Sequence, residues 1–288
     1  MTFALAKLTW QRSAILPALV LTIAVLTGCG TIGDRISAAD QTARSARMVR
    51  SVVRTNDFLI VTYARLDRPG EPLSVYVEGD GRAWVTPRQL SMNPTPLQPV
   101  ALDLAVRDRA ANVIYVARPC QYVTSAEDPR CEESYWSHRR FAPEVVRAVS
   151  QAIEFHRQRA GSTAIDLVGF SGGGAVAALV AAERSDVRSL RTVAGNLDHV
   201  ALHSYHKVTQ LRGSLNALDV AARLAALPQI HYVGGEDKVV PPFVAQSFAR
   251  AVGPTTCLKT TIVAGAAHES GWADQWGRLL RDVPSCSR

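Results

Sequence analysis

Residues 164–183 read AIDLVGFSGGGAVAALVAAE. Ile165, Leu167 and Val168 form a short apolar, partly β-branched run with no turn residue inside it, which predicts a strand buried on both faces. Gly169-Phe170-Ser171-Gly172-Gly173 follows, then an alanine-rich run of helical character. The G-x-S-x-G spacing puts one serine on a strained strand-to-helix turn that only small neighbours accommodate. Such a turn lifts the hydroxyl out of the packed interior and leaves the Gly172 N–H at a helix N-terminus, where developing negative charge is favoured. A glycine-rich turn with a solvated serine is the plainer reading of the same five residues; the strand before it and the helix after it favour the first.

Outward from this stretch, strand-like and helix-like runs alternate. Residues 57–66 (DFLIVTYARL) and 73–78 (LSVYVE) read as strands, the second running into Gly79-Asp80-Gly81. Residues 87–99 hold Pro87, Pro94, Pro96 and Pro99 and read as loop. Val100 to Ala111 has helical spacing, 113–117 (VIYVA) reads as a buried strand, and Pro143 opens a helix to about Arg159 at the first-turn position that proline tolerates. Downstream, strands are expected at 190–194, 229–233 and 258–263, and helices near 218–226, at 242–251 and from about Trp272. The alternation implies an α/β fold with a mostly parallel central sheet covered by helices on both faces. Residues 196–228 leave room for only a short cap.

A serine at a strand end needs a base, and the base needs an orienting carboxylate. Ligands gather at the carboxyl ends of strands in such sheets, so Asp, Glu and His directly after strand-like runs are the candidates. Asp237 follows the strand ending at Val233, within Gly234-Gly235-Glu236-Asp237-Lys238-Val239-Val240-Pro241, and His268 follows the strand ending at Val263. Glu236 and Asp198 are alternative acids, the second because it follows the strand ending at Ala194. His199, His203 and His206 fall at i, i+4 and i+7, a spacing that suits a zinc site or, more plainly, a polar rim on the cap. His138 with Arg139 and Arg140 reads as an anion-binding group or as a solvated loop, and Tyr135 and Trp136 as pocket lining or packing.

The first residues carry a different pattern. Lys7 and Arg12 precede an apolar run from Ala14 to Leu26, too short for a comfortable membrane span and the right length for a signal-peptide core. It ends in Leu26-Thr27-Gly28-Cys29, which resembles the lipobox of bacterial lipoproteins. That resemblance implies removal of residues 1–28 and acylation of Cys29. With Gly30 rather than Asp after it, it also implies an exported protein held on the outer membrane by its lipid. Residues 29–55 are polar and Arg- and Ser-rich and read as a tether, which places the folded domain at 56–288. The chain beyond residue 28 has 30 Lys plus Arg against 25 Asp plus Glu. The arginines are scattered, so no nucleic-acid patch is expected. Cys120, Cys131, Cys257 and Cys286 allow three pairings; proximity in sequence favours Cys120 with Cys131 and Cys257 with Cys286 in an oxidising compartment.

The order Ser171, Asp237, His268 and the G-x-x-D-x-x-V-P pattern around Asp237 resemble the α/β-hydrolases, and of these the bacterial lipoprotein type, over roughly residues 57–283. The resemblance implies the α/β-hydrolase fold, with Ser171 as nucleophile, His268 as base and Asp237 as acid. It also implies an oxyanion hole made by the Gly172 N–H with that of Asp80 or Gly81. Glu78-Gly79-Asp80-Gly81 stands where many members have His-Gly-Gly-Gly. The expected activity is hydrolysis of an acyl ester or related carbonyl substrate, with no metal or organic cofactor required. Acyl transfer would use the same parts, and a non-catalytic binding or scaffolding lipoprotein is the alternative of another class.

Overall fold

The computed structural model describes residues 31–287 and, ahead of them, Thr2 alone. The signal segment 1–28 and the acylation site Cys29 lie outside the described residues. In chain order the elements are α1 (Ile32–Ser45), β1 (Val49–Arg54), β2 (Leu59–Leu66), β3 (Leu73–Val77), β4 (Trp84–Thr86), β5 (Gln89–Leu90), α2 (Val100–Ala105) and β6 (Asn112–Val116). There follow α3 (Pro143–Ala160), β7 (Ile165–Phe170), α4 (Gly172–Glu183), β8 (Val187–Val193), α5 (His199–His206), β9 (Gln229–Gly234), α6 (Phe243–Val252), β10 (Leu258–Val263) and α7 (Ala273–Leu279).

Eight strands form one sheet in the order β1-β2-β6-β3-β7-β8-β9-β10. The first two neighbour pairs are antiparallel and every pair from β6 to β10 is parallel. The two-residue side-chain period divides the core into two layers. Val75, Ile114, Val116 and Leu167 face a core that includes α3, α4 and α6. Their neighbours Tyr76, Val113, Tyr115 and Val168 face one that includes α1, α2 and α7. All five residues of β3 and all five of β6 are buried, which is why these strands read as unbroken apolar runs. On the second face Trp276 donates from Nε1 to the Tyr76 hydroxyl at 3.1 Å, and that hydroxyl donates to Asp108 at 2.7 Å. A buried aromatic cluster thus keeps its polar atoms satisfied.

The segment expected to be a tether belongs to the fold. Residues 32–45 are helical, closed at the start by a capping box in which Thr31 and Asp34 satisfy each other's backbone N–H, and 49–54 pair with β2. Ala39, Ala43 and Met48 carry this unit into the core, and Tyr63 donates to Asp40 at 2.6 Å. Small side chains do the packing, so the helix lacks the large apolar stripe that marks an amphipathic helix in sequence. Three smaller departures follow from local chemistry. Helix α2 stops at Ala105, and Asp108 then accepts the Ala110 N–H in a tight turn. The proline-rich stretch contributes a short hairpin, β4 with β5, with Pro87 in its turn. Residues 217–224 wind as 3-10 rather than α-helix. Among the described residues no helix is long and apolar enough to cross a membrane.

Cys120 is bonded to Cys131 and Cys257 to Cys286, the pairing that proximity favoured. The first bridge closes the loop that leaves β6, and the second ties the C-terminal segment to the start of β10. Replacing both Cys120 and Cys131 by serine is expected to cost about 2 to 3 kcal/mol, the loop-closure value for a ring of this size. Urea unfolding of oxidised wild type against the double variant measures it, and equal midpoints with equal slopes would refute it.

Candidate active site

Ser171 sits between β7 and α4 with φ 50° and ψ −120°, a left-handed conformation that costs a side-chain-bearing residue of order 1–3 kcal/mol. The surroundings enforce it. The Ser171 N–H donates to Val193 O at 2.9 Å, and its carbonyl accepts from Gly174 and Asn196, each at 2.9 Å. The glycines flanking the serine permit the close approach: a Cβ at Gly169 would lie 2.3 Å from Gly173 O, and one at Gly173 would lie 2.3 Å from Val77 O. Strand, turn and helix therefore cross with no room for side chains, and the hydroxyl projects from the carboxyl edge of the sheet.

Two further strand ends meet it there. His268 Nε2 lies 3.0 Å from Ser171 Oγ, and His268 Nδ1 lies 2.9 Å from Asp237 Oδ2. The second oxygen of Asp237 accepts the N–H groups of Val239 and Val240 at 2.8 and 2.9 Å. That arrangement fixes the carboxylate plane and assigns the His268 tautomer: Nδ1–H donates to Asp237, leaving Nε2 to accept from the serine. Asp237 is buried, and the Trp272 indole holds the His268 loop by donating to the carbonyls of Ala267 and His268 at 2.8 and 2.9 Å. The Phe170 ring packs at 5.3 Å from the imidazole.

The loop after β3 lies against the serine, since a Cβ at Gly79 would come within 3.3 Å of Ser171 Cβ. Gly81 adopts φ 63°, with Pro94 O where a Cβ would stand. Among the described residues the backbone N–H groups of Gly172, Asp80 and Gly81 take no part in backbone turn or loop bonds. Glu78, which ends β3, is buried. Its Oε1 accepts from Gly79 and Ala101 at 2.9 and 3.3 Å while Oε2 has no partner, and burial pushes its pKa up to about 7.

The alternative acids are engaged elsewhere. Asp198 caps α5 through Ala201 N and accepts from Ser247 Oγ at 2.6 Å, and Glu236 is exposed. The three cap histidines diverge. His199 is stacked on Phe141 with both ring nitrogens unpartnered; His203 Nδ1 meets Thr209 O at 2.6 Å; His206 Nε2 meets Val239 O at 2.8 Å. Among the described residues no group of three His, Cys, Asp or Glu could hold a metal ion. His138 is exposed, and Arg139 pairs with Glu144 while lying over the Tyr135 ring. Arg140 instead turns inward toward Asp80.

Three residues of the site were not singled out from sequence for the part they take. The Asp80 side chain is as prominent as its N–H; Arg118, next to the end of β6, ion-pairs with it; Asn196, beyond β8, donates its N–H to the Ser171 carbonyl. Arg118 and Asn196 lie where the carboxyl-end rule points. Neither is an Asp, Glu or His, the residue types that a serine's base and orienting acid require.

No protein-family model matches the sequence, and no curated protein matches it. Solved structures do. An α/β serine hydrolase homologue from Coxiella burnetii aligns with TM-score 0.53 at 15% identity over 81% of this chain and 94% of its own. Est1E from Butyrivibrio proteoclasticus aligns with TM-score 0.55 at 11% identity over 81% and 98%. A puromycin-hydrolyzing peptidase of Mycobacterium tuberculosis gives TM-score 0.56 at 18% identity over 81% of this chain, which corresponds to 38% of that longer protein. The shared architecture is the α/β-hydrolase fold.

Proposed function

We propose that this chain, an α/β-hydrolase by fold, is a serine hydrolase that cleaves an acyl ester or related carbonyl substrate. The observation that carries this reading is the continuous hydrogen-bond line from Asp237 through His268 to Ser171, at 2.9 and 3.0 Å. As the Ser171 oxygen attacks the carbonyl carbon, its proton passes to His268 Nε2, and the Asp237 carboxylate stabilises the imidazolium. The carbonyl oxygen gains negative charge facing the Gly172 N–H and that of Asp80 or Gly81. Loss of one such donor costs about 2.7 to 4 kcal/mol of barrier. His268 then gives the proton to the leaving alkoxide, the acyl group stays on Ser171, and a water deprotonated by His268 releases it. An acceptor hydroxyl in place of water would make the same chemistry acyl transfer. No step calls on a metal or an organic cofactor.

The lipobox-like sequence at Leu26–Cys29 supports export and attachment to a membrane through acylated Cys29, with the outer membrane favoured by Gly30. Gly30 alone separates Cys29 from Thr31 in the sequence, so an anchored domain would lie close to the membrane surface.

Labelling with a fluorophosphonate tests the chemistry. Stoichiometric label on Ser171, lost in Ser171→Ala and in His268→Ala, is the expected result. A folded protein that takes no label would favour a binding module over an enzyme.

A further inference from the structure

Against the first residue of α4 stands a charged cluster that the acyl-transfer chemistry leaves unused. The Asp80 carboxylate fills the space a side chain at position 172 would take: a Cβ on Gly172 would meet Oδ1 at 2.0 Å. Arg118 Nη1 lies 3.3 Å from that oxygen, and Arg140 Nη1 lies 2.9 Å from the other. Arg118 also donates to the Arg140 carbonyl, which locks the two arginines together. Arg140 Nη2 donates to His203 Nε2 at 3.2 Å. That histidine donates its Nδ1–H to Thr209 O, and burial holds its pKa low, so it adds no charge. Two guanidiniums therefore meet one full carboxylate behind Gly172, and Glu78, which also acts on Arg118 and is about half ionised near pH 7, offsets only part of the positive excess.

The surplus is poorly solvated. The Arg118 side chain is 5% exposed and that of Arg140 15%, and the Nε of each is buried with no partner. A cavity with room for little more than a water, lined by Asp80, Arg118, Gln121, Tyr135, Trp136 and Arg140 and not by Ser171, borders the cluster. A buried cation without a full complement of acceptors is costly, whereas one supplied with a carboxylate gains a short, charge-assisted hydrogen bond. Guanidinium remains charged throughout the working pH range and suits a planar anion. Nothing in general ester hydrolysis requires such a surplus beside the nucleophile.

We propose that the pocket selects acyl substrates that themselves carry a carboxylate, with Arg140 meeting that group and Arg118 supplying charge from behind. Asp80 holds the two arginines in place and tempers their field. This inference rests on the hydrolase reading above. It assigns the substrate class, small dicarboxylic half-esters or their like, rather than long uncharged acyl chains.

The test compares p-nitrophenyl half-esters of succinate, glutarate and adipate with uncharged p-nitrophenyl esters of matching length. For at least one length, kcat/KM of wild type is expected to favour the half-ester by about tenfold or more, a ratio that falls with added salt. Arg140→Gln is expected to bring that ratio down by about tenfold, Arg140→Lys to retain part of it, and Asp80→Asn to raise it by removing the opposing charge. A loss of fold alone would depress both ester series and leave the ratio where it was. Free glutarate needs no variant and is expected to inhibit hydrolysis of the uncharged ester competitively. Turnover of uncharged esters with no preference at any length, a ratio indifferent to Arg140→Gln, or no inhibition by glutarate would each overturn the inference and leave the hydrolase reading standing. Absence of both turnover and fluorophosphonate label would overturn the two together.

Discussion

Replacing Ser171 by alanine is expected to lower kcat by about ten-thousandfold to a millionfold while the thermal midpoint stays within about 2 °C of wild type. The two halves of this expectation have separate physical grounds. On the proposed mechanism the serine alone forms the covalent bond, so its loss leaves just the oxyanion donors and binding, which retain a small residual acceleration. Its hydroxyl, by contrast, contributes little to the fold. The contacts that hold residue 171 are made by its backbone, to Val193, Gly174 and Asn196, and alanine keeps them together with the φ of 50°. Asp237→Asn is expected to cost about ten-thousandfold by a different route. The Oδ1 atom can still accept from Val239 and Val240, so geometry survives. The amide now faces His268 Nδ1 with N–H groups, which forces the proton to Nε2 and removes the base. Because the residues act as one unit, Ser171→Ala combined with Asp237→Asn should be no slower than Ser171→Ala alone. Steady-state kinetics on an activated ester, with the midpoint from thermal unfolding, measure all three. Turnover by Ser171→Ala above about one part in a hundred of wild type would rule out Ser171 as nucleophile.

Much of this architecture was legible because buried parallel strands are written as uninterrupted apolar runs. LSVYV, NVIYV and IDLVGF each lie wholly or almost wholly in the interior, and the apolar run of each marks its strand to within a residue or two. Ser171, Asp237 and His268 were legible for a related reason: a polar residue following such a run marks the sheet's carboxyl edge, and the structure brings these three within hydrogen-bond reach. What the sequence hid depends on contacts distant along the chain. Helix α1 packs through Ala39 and Ala43, residues with no periodic signature strong enough to separate a helix from a linker, though its capping pair Thr31 and Asp34 was present to be read. The inward turn of Arg140 needs Asp80, sixty residues away, to hold it, while neighbouring Arg139 turns to Glu144. Adjacent arginines with opposite fates carry no local mark of the difference.

The stability of the fold is expected to fall by about 1.5 kcal/mol or more as pH drops from 7 to 5, for reasons that lie in buried histidines outside the site. His231 accepts from Thr192 Oγ1 at Nδ1 and donates from Nε2 to Gln229 Oε1, at 2.8 and 3.0 Å, in a wholly buried position. Burial pushes its pKa from 6.5 down to about 3, and that of His156 down to about 4. Both are neutral in the native state and protonated in the unfolded chain below pH 6.5. Their contribution is thus fully present above 6.5 and is lost as pH falls toward the depressed native values. Glu78 works the other way. Its pKa, raised from 4.5 to about 7, leaves the native protein holding a proton that the unfolded chain has released, so its contribution is present below 4.5 and lost as pH rises through 7. Near pH 5.5 the unfolded chain gains two protons at these two histidines and loses one at Glu78, a net uptake of about one, or about 1.4 kcal/mol per pH unit, to which His199 and His203, also lowered by burial, add. Glu78→Gln, which keeps the Oε1 acceptor for Gly79 and Ala101, should therefore steepen the slope by about 1.2 kcal/mol per pH unit. A neutral replacement of His231 should lower it by about 1.2 kcal/mol per pH unit, whatever either substitution does to stability at pH 7. Urea unfolding of the three proteins at pH 7, 6 and 5 gives the slopes, and the same slope in all three would show that these buried groups do not govern acid stability.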